Sequence, residues 1–114
     1  MKDCIFCKIV SGEIPSGKVY ENTNVLAFND IAPVAPVHVV VIPKKHYTSL
    51  MDIPANESDI LRDLFMSVQH VAELKGIAKK GFRTVINTGK EGGQIINHLH
   101  IHVFGGRNLK MELE

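Results

Sequence analysis

Hydrophobic residues recur at helical spacing in one long stretch of the chain, between Asp52 and Gly76. Seven of them form a single stripe on a helix of 3.6 residues per turn: Ile60, Leu61, Leu64, Phe65, Val68, Val71 and Ala72. Asp52 or Asn56 is suited to cap the start of this helix, and Gly76 is placed to end it. The pattern predicts one long amphipathic helix whose apolar side needs a partner.

Short apolar and β-branched stretches elsewhere predict strands. A hairpin is expected with strands at Lys18–Glu21 and 25–28, joined by the turn residues Asn22-Thr23-Asn24. The β-branched run 37–42, ended by Pro43, is typical of a strand covered on both faces. Two further strands are predicted in the segments FRTVINTG and NHLHIHVF, with a glycine-bearing loop between them.

The order of these elements predicts the fold class. A short helical turn is expected over 3–10, ended by Ser11-Gly12. The whole is an α+β domain with a roughly five-stranded antiparallel sheet, one long helix and a short N-terminal helix. The length of 114 residues suits a single domain, 1–114.

Three of the six histidines alternate along the last predicted strand: His98, His100 and His102. They are expected to share one face with Phe104, toward a cleft or solvent, while the aliphatic residues between them bury against the long helix. Strand residues four positions apart are separated by about 13 Å, so one metal held by all three histidines is disfavoured.

The histidine row suits chemistry on a phosphate. An imidazole can attack phosphorus directly while an acceptor orients its other nitrogen, and a second imidazole can donate to phosphate oxygens. The alternative is a row of half-buried histidines without a function, which is costly to bury. The row beside a glycine loop favours the first interpretation.

Composition and charge limit the function classes. The net charge of +1 gives no general attraction to nucleic acid or to a membrane surface. No stretch approaches the roughly 20 apolar residues of a membrane span. The N-terminal segment lacks the features of a signal peptide, which predicts a cytoplasmic protein with reduced thiols.

Cys4 and Cys7 have the spacing of one half of a zinc site. The chain has no further cysteine, so histidines would have to complete such a site. The alternatives are a redox pair, which normally follows a strand and opens a helix, and two inert thiols. Zinc is the favoured interpretation.

The segment HLHIHVFGG resembles the histidine triad signature, in which three histidines alternate with apolar residues. The segments CIFCKIVSGEIPSGKVYE, LAFNDIAPVAPVHVVVIPKKH and GFRTVINTGKEGGQ also fall in the order and spacing of the histidine triad (HIT) family. The chain is most similar to its Hint-type phosphoramidases. The resemblance implies a HIT-like fold and hydrolysis of purine nucleoside phosphoramidates. The alternatives are a dinucleoside polyphosphate hydrolase, a nucleotidyl transferase, and a nucleotide-binding regulatory module with weak or no catalysis.

The resemblance also implies residue roles. His100 would be the nucleophile that takes the nucleoside monophosphate covalently, and His102 would hydrogen-bond the phosphate. Asp30 would bind the ribose, and His38 would lie near the catalytic cluster, although Asp30 could equally be an ordinary turn residue. The base pocket would contain Ile5, Phe6, Phe28 and Ile31, and the phosphate end Asn87, Gly93 and Gln94.

Family members with this cysteine pair hold a structural zinc ion, and the ligands here would be Cys4, Cys7, His46 and His98. His38 is a weaker candidate ligand, and catalysis itself would need no metal. The implied partners are a purine nucleotide of the AMP or GMP type and a second copy of the chain, joined across the long helix and the following strand. One departure is Ile95, where relatives usually carry a polar residue.

Overall fold

The computed structural model describes residues 3–111, so the outermost residues of the predicted domain 1–114 lie outside it. Two α-helices and five strands follow one another: α1 (Ile5–Ser11), β1 (Lys18–Glu21), β2 (Val25–Asn29), β3 (Val37–Pro43), α2 (Ser58–Leu74), β4 (Arg83–Val85) and β5 (Ile101–Gly105). The strands form one sheet in the order β1-β2-β3-β5-β4, with every neighbouring pair antiparallel. The predicted fold class is confirmed.

The hairpin of β1 and β2 lies where the turn residues predicted it. The side chain of Asn22 accepts hydrogen bonds from the backbone amides of Asn24 and Val25, each 2.9 Å long. An asparagine that binds its own backbone two residues on stabilises a tight turn. The local sequence is therefore sufficient to position this hairpin.

The helix α2 covers one face of the sheet. Its buried residues Leu64, Val68, Val71 and Ala72 pack into a cluster with inward side chains of the central strands. Phe65 was predicted to lie on the same stripe, but half of its side chain is exposed. It lies about 100° around the helix from Leu64, at the edge of the apolar face, where the sheet no longer reaches.

The predicted start of α2 is also wrong. Two 3-10 turns, Leu50–Asp52 and Ala55–Glu57, precede the helix, which begins at Ser58 without a side-chain cap. Asp52 belongs to a capping box with Ser49 in the first of these turns. Gly76, with a positive φ of 71°, follows the end of the helix as predicted.

The short helix α1 covers part of the opposite face. Phe6 and Ile9 pack against residues of β2 and β3: Leu26, Phe28, Val40 and Ile42. Residues paired across antiparallel strands share a face, so the register of Val40 with His102 places His102 on this side of the sheet. The catalytic candidates and α1 therefore share one face, and α2 occupies the other.

The histidine segment departs from the predicted strand. β5 begins only at Ile101, so His98 and His100 lie in the segment that precedes it, and both are buried. The backbone amide of Leu99 donates to the carbonyl of Tyr47 instead of to a strand of the sheet. The aliphatic side chains Leu99, Ile101 and Val103 do pack on the α2 side. Within residues 3–111, no helix is long and apolar enough to cross a membrane.

Candidate functional site

Two cysteines and two histidines converge at the N-terminal end of α1. The ligand atoms of Cys4, Cys7, His46 and His98 all lie within 4.8 Å of one another. Cys4 caps α1, because its sulfur accepts from the backbone amide of Cys7. His46 follows β3 and His98 precedes β5, so the cluster joins three distant parts of the chain. These are the four residues that the family resemblance implied as metal ligands.

The orientation of His98 suits a metal ligand. Its Nε2 lies 2.9 Å from the carbonyl oxygen of Pro43, and because a carbonyl only accepts, Nε2 carries the proton. The unprotonated Nδ1 then faces the sulfurs of Cys4 and Cys7, at 3.2 Å and 3.6 Å. Hydrogen bonding of the second ring nitrogen to a backbone carbonyl is typical of histidines that bind metals.

The spacing also fits a tetrahedral ion. Bonds of about 2.3 Å to sulfur and about 2.0 to 2.1 Å to nitrogen place tetrahedral ligand atoms about 3.5 Å apart. His46 Nδ1 lies 3.3 Å from the sulfur of Cys7, close to that value. The two distances from His98 Nδ1 to the sulfurs lie near the same value, so the four residues could hold a metal.

A buried tyrosine, Tyr47, fixes the loop that carries His46, and no motif or spacing in the sequence indicated this role. The Tyr47 hydroxyl donates to the Glu57 carboxylate, which Lys45 Nζ also contacts at 2.9 Å. Burial raises the pKa of Tyr47 to about 12, so the hydroxyl remains a donor. Since the Tyr47 carbonyl accepts from Leu99, this residue ties the His46 loop to the histidine segment.

His100 lies beside the cluster of Cys4, Cys7, His46 and His98, and one of its ring nitrogens is already hydrogen-bonded. Its Nδ1 is 2.7 Å from the carbonyl oxygen of His98, so Nδ1 carries the proton and Nε2 keeps its lone pair. The ring of Phe6 packs edge-on against it at 5.2 Å. Burial lowers the pKa of His100, which keeps the imidazole neutral and nucleophilic at neutral pH.

His102 pairs with His38 across β3 and β5. The Val34 amide donates to His38 Nδ1 at 3.3 Å, so His38 Nε2 carries a proton and donates to His102 Nδ1 at 3.0 Å. His102 is therefore protonated at Nε2, which can donate to a ligand. Burial, followed by the neighbouring His100 and His38, lowers the pKa of His102 to about 4.

His38 lies with the catalytic candidates, away from the cysteines. Asp30 Oδ2 is 3.4 Å from its Nε2, and burial lowers the pKa of His38. Ligand atoms of Asp30, His38 and His102 also lie within 4.8 Å of one another. The hydrogen bond between the two histidines accounts for that spacing without a metal.

The residues assigned to a base pocket divide into a buried part and an exposed part. Phe6 and Phe28 are buried in edge-to-face contact, with ring centroids 5.7 Å apart. Ile31 is 97% exposed and Ile5 is 43% exposed. Asp30 accepts a hydrogen bond from the Ala32 amide through Oδ1, which shapes the turn after β2. Ile5 and Ile31 are therefore the members of this set that have substantial exposed surface.

The glycine-bearing loop before the histidines is held by its own amide side chains. Asn87 donates to the Gly92 carbonyl at 2.8 Å, and Gln94 accepts from the Gly89 amide at 2.9 Å. Gln94 also donates to the carbonyl of Thr48 at 2.6 Å. Gly93 has a positive φ of 78° that favours glycine. Asn87, Gly93 and Gln94 thus shape this loop.

Comparison with known proteins gives one consistent family. A family model described as the HIT domain matches residues 11–109. A histidine triad protein structure from Clostridium difficile is 51% identical, with a TM-score of 0.94 over 99% of this chain and 98% of that chain. The purine nucleoside phosphoramidase of Escherichia coli K12 is 40% identical over 95% of this chain and 91% of its own length. A histidine triad nucleotide-binding protein from Candida albicans is 32% identical, with a TM-score of 0.82, over 98% of this chain and 86% of that chain. The chain belongs to the HIT domain family.

Proposed function

We propose that this protein is a nucleotide-binding hydrolase that cleaves purine nucleoside phosphoramidates through a covalent nucleotidyl intermediate on His100. The observation that carries the proposal is the hydrogen bond from His100 Nδ1 to the His98 carbonyl, which leaves the Nε2 lone pair free. The similarity to a relative named purine nucleoside phosphoramidase supports the same reaction.

The reaction has two steps. His100 Nε2 attacks phosphorus, and the P–N bond breaks with its electron pair passing to the amine, which takes a proton from solvent. Water then attacks the phosphorus and the bond to Nε2 breaks, which releases the nucleoside monophosphate and restores His100. His102 Nε2–H donates to a phosphate oxygen, and His38 holds His102 in that tautomer.

The other assigned residues position the nucleotide. Asp30 accepts from the ribose hydroxyls, and the base lies against the pocket formed by Ile5, Phe6, Phe28 and Ile31. The backbone amides of the glycine-bearing loop approach the phosphate, with Asn87, Gly93 and Gln94 at its edge. In this assignment the whole of 1–114 acts as one HIT domain with one substrate site.

A structural zinc ion at Cys4, Cys7, His46 and His98 belongs to the proposal. When bound, the ion supplies a crosslink between α1, the end of β3 and the histidine segment, and no step of hydrolysis passes through it. We also propose a homodimer. β4 is an edge strand of the sheet and could pair with a second copy of the chain.

A binding module without turnover is a second candidate, and Ile95 favours it. The side chain of Ile95 is 92% exposed and offers no donor to a leaving group.

The assay that separates the candidates compares adenosine 5′-phosphoramidate with diadenosine tetraphosphate. We expect faster release of AMP from the P–N substrate and a transient mass increase of one AMP on the quenched protein. Faster cleavage of the anhydride would assign a dinucleoside polyphosphate hydrolase. Binding of AMP without turnover and without an adduct would instead support the nucleotide-binding module.

Replacing Ile95 by serine is expected to raise the rate on amine leaving groups by about ten-fold, because a hydroxyl can donate where isoleucine cannot. The exposed position means that stability should change little. The measurement is kcat/KM on several phosphoramidates whose amines differ in basicity, with Ile95→Val as the control. Equal rates for Ile95→Ser and wild type on all of them would refute this role for position 95.

The low pKa of His102 predicts a loss of stability in acid. The unfolded chain binds a proton at this histidine near pH 6.5, whereas the folded protein does so only near pH 4. The free energy of unfolding should therefore decline as the pH falls from 6.5 toward 4. Protonation of His102 should account for about 1 to 2 kcal/mol of this loss in the free energy of unfolding, allowing for partial solvent screening. Urea unfolding of wild type and His102→Gln at several pH values checks this. Parallel pH profiles of the two proteins would refute it.

A further inference from the structure

The cysteines of the candidate metal cluster are also placed for thiol chemistry. Cys4 caps α1 and Cys7 lies in its first turn, so the pair opens a helix, as redox-active cysteine pairs do. The chain has two cysteines, and both are free thiols. An intramolecular disulfide can therefore join only Cys4 to Cys7.

The two sulfurs face the same space. Their Sγ atoms lie within 4.8 Å of each other, and His98 Nδ1 is 3.2 Å from the Cys4 sulfur and 3.6 Å from the Cys7 sulfur. The Cys4 sulfur accepts from the backbone amide of Cys7 at 3.3 Å, so it points across the first turn of α1 toward its partner. A rotation of the two side chains is sufficient to bring the sulfurs together.

The cysteine pair lies away from the proposed dimer contact. The helix α1 packs over β2 and β3, while α2 occupies the opposite face of the sheet. The edge strand β4 is separated from β3 by β5, so pairing of two copies through β4 does not cover the cysteines. Both thiols are partly exposed, which admits a molecule as small as hydrogen peroxide.

Metal binding and a disulfide need different arrangements of the same two side chains. Two sulfurs bound to one tetrahedral zinc ion lie about 3.8 Å apart, as bonds of about 2.3 Å require. A disulfide brings them to about 2.05 Å. The pair therefore has two distinct states, and the disulfide state leaves only two imidazoles as ligands.

Phe6 carries the difference between these states to the proposed nucleophile. Phe6 lies between the two cysteines in the sequence, and its ring packs edge-on against His98 at 5.7 Å and His100 at 5.2 Å. Drawing the sulfurs together changes the turn that holds this ring. It also removes the sulfur partners of His98 Nδ1, and the His98 carbonyl is the group that orients His100.

We propose that Cys4 and Cys7 form a peroxide-sensitive switch, in which a reversible disulfide releases the metal and slows transfer of the nucleotide to His100. One thiolate attacks an oxygen of hydrogen peroxide, the O–O bond breaks, and the departing hydroxide takes a proton to become water. The other thiolate attacks the sulfur of the resulting sulfenic acid, the S–O bond breaks, and a second water forms in the same way. The peroxide gains two electrons and the two thiolates lose them. The effect on His100 rests on the proposed function, whereas the disulfide does not.

The first test treats zinc-loaded wild type with a small molar excess of hydrogen peroxide. We expect the intact mass to fall by two hydrogen atoms, one zinc ion per chain to reach a chromogenic chelator, and dithiothreitol to restore the mass. The variant with both Cys4→Ala and Cys7→Ala is the control for oxidation of methionines, which adds oxygen to the mass. Oxidation of the thiols to sulfinic acid without a disulfide would overturn the switch. A disulfide that leaves zinc bound would also overturn it.

The second test measures the rate of adduct formation on His100 before oxidation, after it, and after reduction with zinc restored. We expect oxidation to lower the rate by about ten-fold or more, because a displaced nucleophile loses its alignment, and reduction to recover it. Peroxide should not change the rate of the double alanine variant. Equal rates for oxidised and reduced wild type would overturn the switch and leave the proposed function intact. No adduct on the reduced protein would overturn the proposed function and the effect on His100, while mass and zinc release would still decide whether the disulfide forms.

Discussion

Replacing His100 by alanine is expected to abolish the nucleotidyl adduct and to lower kcat/KM by about 10³-fold or more. The reason is that the proposed bond between Nε2 and phosphorus has no substitute, since His98 directs Nδ1 into the cysteine cluster and His102 presents a protonated nitrogen. The measurement is steady-state hydrolysis of adenosine phosphoramidate together with the intact mass of the quenched protein. Binding of AMP should persist, because the residues assigned to the nucleoside are unchanged.

The matched control is His70→Ala. His70 lies on the exposed side of α2 and stacks on Tyr20 at 4.9 Å, on the face of the sheet away from the catalytic candidates. Its activity should equal that of wild type. An adduct that persists in His100→Ala would contradict the assignment and would direct the search to another nucleophile. Full loss of activity in both variants would indicate damage to the fold instead.

The sequence predicted the parts of this site that depend on local pattern. The alternation of histidine and aliphatic residues indicated which side chains pack toward α2, and Leu99, Ile101 and Val103 do so. The turn residues after β1 likewise determine the hairpin by hydrogen bonds to their own backbone. In both cases the information lies within a few residues of the element that it shapes.

Features that depend on distant contacts were missed. Tyr47 and Glu57 are ten residues apart, and this separation matches no motif that would predict their hydrogen bond. The capping box of Ser49 and Asp52 starts a 3-10 turn several residues before α2, so the expected cap was assigned to the wrong element. Arg83 and Lys110 lie in separate parts of the chain, and only the folded sheet brings them into hydrogen-bond contact. No local periodicity carries such information.

The helix α1 connects the two clusters of the site. Phe6 lies between Cys4 and Cys7 in the sequence, and its ring packs edge-on against both His98 and His100. A contact at the cysteines therefore positions the side chain that covers the proposed nucleophile. Burial by this ring is also part of what keeps the imidazole of His100 neutral. The cysteine–histidine cluster and the proposed nucleophile should consequently respond to the same changes in α1.

Removing the proposed zinc ion is expected to destabilise the protein strongly. The four proposed ligands come from three separate parts of the chain, so an ion that binds only the folded state would contribute its binding free energy to folding. A loss of about 3 to 5 kcal/mol would lower the Tm by about 10 to 20 °C for a domain of this size. We expect one zinc per chain by elemental analysis of the wild type, and none after replacement of both Cys4 and Cys7 by alanine. A chelator should lower the Tm of the wild type to that of the double variant and leave the double variant unchanged.

The double variant also tests the connection through Phe6. If zinc holds α1 in place, its loss should reduce the rate of adduct formation on His100 even at temperatures where the double variant remains folded. The added variant His46→Ala should show the same reduction, because it removes a ligand without changing α1 itself. His70→Ala should retain zinc, stability and rate. Loss of zinc with unchanged Tm and unchanged adduct formation would contradict a structural ion. If the metal-free wild type had the same Tm as the zinc-loaded protein, the hydrogen bonds among the four side chains would suffice to hold the cluster.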